Sequence, residues 1–208
     1  MRPDLEIISR WIKPRSRVLD LGCGDGTLLN HLERTREVTG YGLEIDPKNV
    51  VNAIHAGVNV IQLDIDQSLG EFEDQSFDYV VMTQALQVVQ HPDRLLGEML
   101  RIGRKGIVTF PNFGHWKCRI QLAIRGRMPI SDSLPNQWYD TQNIHLCTVR
   151  DFEQLCHQFD YRILNRRVVD SHHRSNRAMQ MAPNLLGEIA LYGLCSERNV
   201  TSGSTLDH

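Results

Sequence analysis

The segment Val18-Leu19-Asp20-Leu21-Gly22-Cys23-Gly24-Asp25-Gly26 has the residue types and spacing of a ligand-binding turn. A short apolar run stops at Gly22, glycines alternate through the turn, and Thr27 to Leu32 continues as a helix. Glycine accepts positive φ and lets backbone N–H groups come close to a ligand. Two cofactor classes use such a turn. The dinucleotide fingerprint G-x-G-x-x-G requires glycine three positions after Gly24, where Thr27 stands. The pattern here is acidic-x-G-x-G-x-G. A carboxylate at Asp20 opposes a pyrophosphate but suits a cationic amino-acid ligand. The plain alternative is a strand-to-helix turn that holds nothing.

A second carboxylate, Glu44, ends the apolar run of Tyr41-Gly42-Leu43-Glu44 about twenty residues past the first glycine. From that place an acidic side chain reaches ribose hydroxyls in nucleotide-binding α/β folds. Asp46 precedes Pro47 and reads as a helix cap instead. Asp64, closing the next apolar run, either accepts from an adenine amino group or is a solvated loop aspartate.

The elements that must position these residues follow from periodicity. Leu5, Ile8 and Ile12 mark a helix over residues 4–12, with Pro14 closing the segment. Strands are expected at 17–21, 38–45, 59–63, 77–82 and 106–110. Helices are expected after Asp46, with Val50, Val51 and Ile54 on one face, and after His91-Pro92, with Leu95, Leu96, Met99 and Leu100 facing inward. Trp116, Ile120 and Ile124 lie four apart on a short basic helix, and 126–143 reads as a loop. Thr148 to Asp151 forms a capping box before Phe152, Leu155 and Phe159. Two further strands, 161–169 and 185–194, would close the sheet as an antiparallel pair. The order predicts an α/β fold: a doubly wound, mostly parallel, seven-stranded sheet with helices on both faces. A single domain is expected over 1–195, with a polar tail over 196–208.

Composition fits this. Of 208 residues, 41% are hydrophobic and 23% charged, and Lys plus Arg (23) nearly balances Asp plus Glu (25), for a net charge of -2. That balance gives no global attraction to nucleic acid or anionic membrane. The five cysteines, Cys23, Cys118, Cys147, Cys156 and Cys195, lack zinc-site spacing and read as reduced thiols, so no metal is expected. The N-terminus lacks an apolar signal core, and no run reaches the roughly 18 apolar residues of a membrane span. A cytoplasmic location is expected.

Together, Asp20, the glycines and Glu44 resemble the class I S-adenosylmethionine-dependent methyltransferases over residues 16–112. That resemblance implies Gly22, Gly24 and Gly26 around the methionine part of the cofactor, Glu44 at the ribose, Asp64 and Ile65 at the adenine, and Thr83 and Gln84 facing the sulfonium. A narrower likeness covers nearly the whole chain. Met82-Thr83-Gln84-Ala85-Leu86-Gln87, Val108-Thr109-Phe110-Pro111-Asn112-Phe113-Gly114-His115-Trp116, Gly126-Arg127-Met128-Pro129, Trp138-Tyr139, Asn143-Ile144-His145 and Asn184-Leu185-Leu186-Gly187-Glu188 are similar to the MetW family. This implies a role in methionine biosynthesis with homoserine O-acyltransferase (MetX), as partner or regulator in O-acylhomoserine formation.

Methyl transfer needs an acceptor held in line with the methyl group, and often a base. His115, Tyr139 and His145 are the candidates, each with a structural alternative: a helix start, packing beside Trp138, and a turn cap. The Asn/Asp-Pro-Pro-aromatic signature of amino-group methyltransferases is replaced by Thr83-Gln84-Ala85-Leu86. Basic stretches at Lys117, Arg119, Arg125 and Arg127, and at Arg162 to Arg177, would receive an anion, an acidic partner face, or only solvent. Trp116, Trp138 and Tyr139 serve either an interface or core packing. An independent small-molecule methyltransferase and a scaffold that binds nothing are the competing readings.

Overall fold

The computed structural model describes residues 3–67 and 69–197. One sheet of seven strands organises it: β1 (Arg17–Leu21), β2 (Thr39–Glu44), β3 (Val60–Gln62), β4 (Phe77–Thr83), β5 (Gly103–Pro111), β6 (Tyr161–Val169) and β7 (Ile189–Ser196). Their order is β3-β2-β1-β4-β5-β7-β6. The β1–β2, β1–β4, β2–β3 and β4–β5 pairings are parallel, and β7 runs antiparallel to both β5 and β6.

Helices cover both faces, which is why the inner strands read as unbroken apolar runs. Successive strand side chains point to opposite layers. Val18, Tyr79, Val81, Ile107 and Leu191 pack with Leu5, Ile8, Leu29 and Leu32 from α1 (Pro3–Trp11) and α2 (Thr27–Arg36). Leu19, Val80, Met82, Phe110 and Tyr192 pack with Leu96, Met99 and Phe152 from α4 (Pro92–Ile102) and α6 (Val149–Gln158). Burial at ~25 cal/mol per Å² makes these two layers the main source of stability. The capping box of α6 is present in full, with Thr148 and Asp151 each accepting from the other's backbone N–H. Asp46 caps α3 (Pro47–His55) by accepting from the Lys48 N–H.

One expectation is corrected, and two apolar stripes prove to be exposed. The run 185–194 is not one strand: Pro183–Leu186 forms a helical turn, α8, after the short α7 (Arg177–Met181), and β7 begins at Ile189. Gly187 closes the turn by donating to the Pro183 carbonyl at 3.0 Å, packed so tightly that a Cβ there would lie 2.5 Å from Val168 Cβ. On α3, Val51 and Ile54 are exposed, and the one fully buried side chain is Ala53. On α5 (Trp116–Arg125), the apolar stripe Trp116, Ile120 and Ile124 lies on the surface. β7 continues through Ser196, and 198–208 lies outside the described residues. Among the described residues no helix is long and apolar enough to cross a membrane.

Candidate functional site

From β1 the chain builds outward to β2 and β3, then returns to lay β4 on the other side of β1. Such a reversal opens a crevice at the carboxyl ends of the two central strands. The glycine turn leaves β1 at this point, with Gly22, Gly24 and Gly26 at φ 70°, 57° and 77°. Side chains other than glycine pay about 1 kcal/mol or more in that region. A Cβ built on Gly24 meets nothing within 4 Å, so the turn borders open space. At Gly26 the reason is packing, since a Cβ would lie 3.0 Å from Val58 Cγ2 and 3.2 Å from Ala53 Cβ.

The backbone N–H groups of this turn are taken up within the protein and form no anion cradle. Gly22 and Cys23 both donate to the Leu43 carbonyl, at 2.8 and 3.0 Å. Gly24 donates to Glu44 Oε2 at 2.8 Å, and Gly26 donates to the Cys23 carbonyl at 3.1 Å. With these donors occupied by the protein itself, and buried Asp20 and Glu44 alongside, the local charge is negative. Cys23 registers it: burial first, then Asp20 and Glu44, push its thiol up to about 12. The environment repels a pyrophosphate and accommodates a cation.

Glu44 is fixed from both ends. Its Oε1 accepts from the Ile45 and Asp46 N–H groups at 2.9 Å each, while Oε2 takes Gly24. Lone pairs on the carboxylate remain for hydroxyl donors. The Leu63 N–H donates to the Glu44 carbonyl at 3.0 Å, setting Asp64 and Ile65 beside it, both half-buried. Asp64 Oδ1 accepts from the Asp66 N–H and Oδ2 from Gln67 Nε2. Thr83 ends β4, and Gln84 follows in left-handed conformation at φ 55°. Its N–H is held by the carbonyl and hydroxyl of Thr109, each at 3.0 Å. A Cβ on Gly22 would lie 3.6 Å from Ala85 Cβ, so this segment abuts the glycine turn. The nine residues expected around a cofactor thus lie at or just past the carboxyl ends of β1 to β4.

The three base candidates divide. His115 is buried at the start of α5, its Nε2 3.9 Å from Glu188 Oε1, which also accepts from Lys117 Nζ at 3.1 Å. Burial, reinforced by Lys117 and opposed by Glu188, lowers its pKa below the ordinary histidine value. Tyr139 is exposed beside Trp138. His145 is tied to the segment after β4: its N–H donates to the Gln87 carbonyl at 3.0 Å and its ring lies 3.2 Å from the Gln90 carbonyl.

Two residues escaped the sequence reading. Buried Asn112, just past β5, accepts at Oδ1 from the Gly114 and Val149 N–H groups and donates from Nδ2 to the Asn184 and Gly187 carbonyls. It joins β5, α5, α6 and α8 at the crevice edge. Gln87 is buried with Oε1 unpaired among the described residues, and its carbonyl holds both Ile144 and His145. Neither has a periodic signature; only the long motifs around them carried a signal.

Solved structures share this architecture. A putative S-adenosylmethionine-dependent methyltransferase from Listeria monocytogenes aligns at TM-score 0.68 and 12% identity, over 94% of this chain and 98% of that one. An S-adenosylmethionine-dependent methyltransferase from Archaeoglobus fulgidus aligns at TM-score 0.67 and 15% identity, over 93% and 91%. The chain therefore has the class I methyltransferase fold. Within that class, the profile described as "Methionine biosynthesis protein MetW" matches residues 2–194, and the chain belongs to the MetW family. A curated relative, the "Bifunctional methionine biosynthesis protein MetXA/MetW" of Rhodopirellula baltica, is 34% identical over 166 residues. The match spans 76% of this chain but only 27% of that relative, whose remainder lies outside the likeness.

Proposed function

We propose that this MetW-family protein binds S-adenosylmethionine at the carboxyl ends of β1, β2 and β4 and acts with homoserine O-acyltransferase (MetX) in forming O-acylhomoserine. The arrangement around Glu44 carries the cofactor half. Its carboxylate closes the glycine turn by taking the Gly24 N–H, so the turn offers carboxylates where a dinucleotide fold offers N–H donors. In this reading Asp20 and the three glycines flank the methionine part, Glu44 the ribose, Asp64 and Ile65 the adenine, and Thr83 and Gln84 the sulfonium. When bound, the cofactor would supply an electrophilic methyl group. The chain's own part is to hold the cation beside buried carboxylates and to shield it with the residues after β4 and β5.

The relative whose name joins MetXA to MetW supports the partnership, since two activities on one chain act on a shared task. Calorimetry with S-adenosylmethionine and its demethylated product tests the cofactor half. Binding by the wild type and its loss in Glu44→Ala are expected; no binding, or unchanged affinity in the variant, defeats it. Co-purification with the acyltransferase, and its rate with and without this chain, tests the other half. No complex and no change in rate would remove it.

A further inference from the structure

Helix α5 buries one side chain, Cys118. At 3.6 residues per turn, Trp116, Ile120 and Ile124 run along the side opposite to it. All three are exposed, Ile124 by 79%. In the segment that follows the helix, Trp138 and Tyr139 are exposed by 72% and 71%, their rings edge-on with centroids 5.7 Å apart. Ten of the twenty exposed large apolar side chains among the described residues fall between 116 and 146. Isolated exposed apolar residues are ordinary, but a concentration of this kind marks a contact surface.

The surface is also pre-organised. Gln121 exchanges two hydrogen bonds with the Ile130 backbone, at 3.0 and 3.2 Å, bracing the loop against the helix. At the far end the Gln87 carbonyl accepts from the Ile144 and His145 N–H groups at 2.8 and 3.0 Å. A loop backbone held this way loses less freedom on binding. Exposed Arg125 and Arg127 add positive charge at the end of the helix, and aromatic residues with arginine are the composition of binding hot spots.

We propose that residues 116–146 form the docking surface for homoserine O-acyltransferase, on a partner face that is apolar with carboxylates opposite Arg125 and Arg127. This rests on the partnership proposed above. The relative that unites the two names on one polypeptide identifies the occupant. A fused chain keeps its domains together at high effective concentration, whereas separate chains need a surface to do so. The cationic edge favours an acidic partner face and speeds encounter.

The test titrates the acyltransferase of the same organism against the intact chain, read by interferometry and by light scattering after size exclusion. Four variants are compared with the wild type: Ile120→Asp with Ile124→Asp, Trp138→Ala, Arg125→Glu with Arg127→Glu, and, as a control on another helix, Ile54→Asp. The first two should weaken binding at least about 30-fold, with unchanged circular dichroism and thermal midpoint. The charge reversal should slow association most at low salt, and the control should bind as the wild type does. A wild-type complex that survives both apolar variants overturns the surface and leaves the partnership standing. A wild type that does not bind overturns the partnership and the surface with it. A self-association that Ile120→Asp with Ile124→Asp abolishes, with acyltransferase binding intact, assigns the surface to a second copy and overturns the proposal.

Discussion

Glu44, the last residue of β2, and Gly24, in the turn after β1, are joined by a hydrogen bond of 2.8 Å from the Gly24 N–H to Oε2. The same carboxylate holds the Ile45 and Asp46 N–H groups, so it shapes the turn as well as facing the crevice. Glu44→Ala should cost about 1.5–3 kcal/mol of stability through its unpaired donors. S-adenosylmethionine affinity should fall at least about tenfold. Thermal melts and calorimetry on one preparation check both; loss of affinity without any loss of stability would contradict the structural share.

Gly42 and Cys23 form a second contact that supports the turn. A Cβ on Gly42 would overlap Cys23 Sγ and lie 2.9 Å from Cys23 Cβ. Gly42→Ala should therefore destabilise by about 1–3 kcal/mol. Cys23→Gly in the same chain should recover part of the loss, so that denaturant melts of the double-mutant cycle show coupling well above measurement error.

Gln84 allows fold and binding to be separated. At φ 55° it occupies a conformation that glycine adopts freely and β-branched residues resist. Gln84→Gly should leave the thermal midpoint nearly unchanged, relief of strain offsetting added chain entropy, while Gln84→Val should lose about 1–2 kcal/mol. Cofactor affinity should drop in both. Full affinity in Gln84→Gly would remove this side chain from the site.

Acid should destabilise the protein through His115. Burial, the main cause, lowers its pKa in the folded chain, while in the unfolded chain it titrates near the ordinary ~6.5. Between those values the unfolded chain binds more protons, so this contribution is complete above pH ~6.5 and is lost as pH falls toward the folded value. The drop in thermal midpoint from about pH 7.5 to about pH 5.5 should be smaller in His115→Gln than in the wild type. An equal drop would place the acid sensitivity elsewhere.

The sequence was most legible where local breaks frame an apolar run. β1 and β6 fall on their expected limits, Arg17–Leu21 and Tyr161–Val169, the first because Gly22 admits no continuation. Asp20, Glu44 and the glycines were legible as a group because their spacing follows from strand, turn and helix geometry. The break at Gly187 was not, since it depends on Val168, which packs against it from β6. The exposure of the α3 and α5 faces was not legible, because amphipathic spacing marks an apolar stripe without saying what covers it. Asn112 stayed hidden for a similar reason: its partners at Val149 and Asn184 are distant in sequence and come together only in the fold.

β6 reaches the rest of the sheet only through β7, which inserts between it and β5. As the chain leaves the ribosome, β6 therefore emerges before its native partner β7, while β5 waits with an open edge. Synthesis halted between Val169 and Ile189 would leave two unpaired strands and an uncovered apolar layer, a species suited to aggregation. A stop codon ahead of β7 should thus deplete the protein from the cell rather than release a smaller working version.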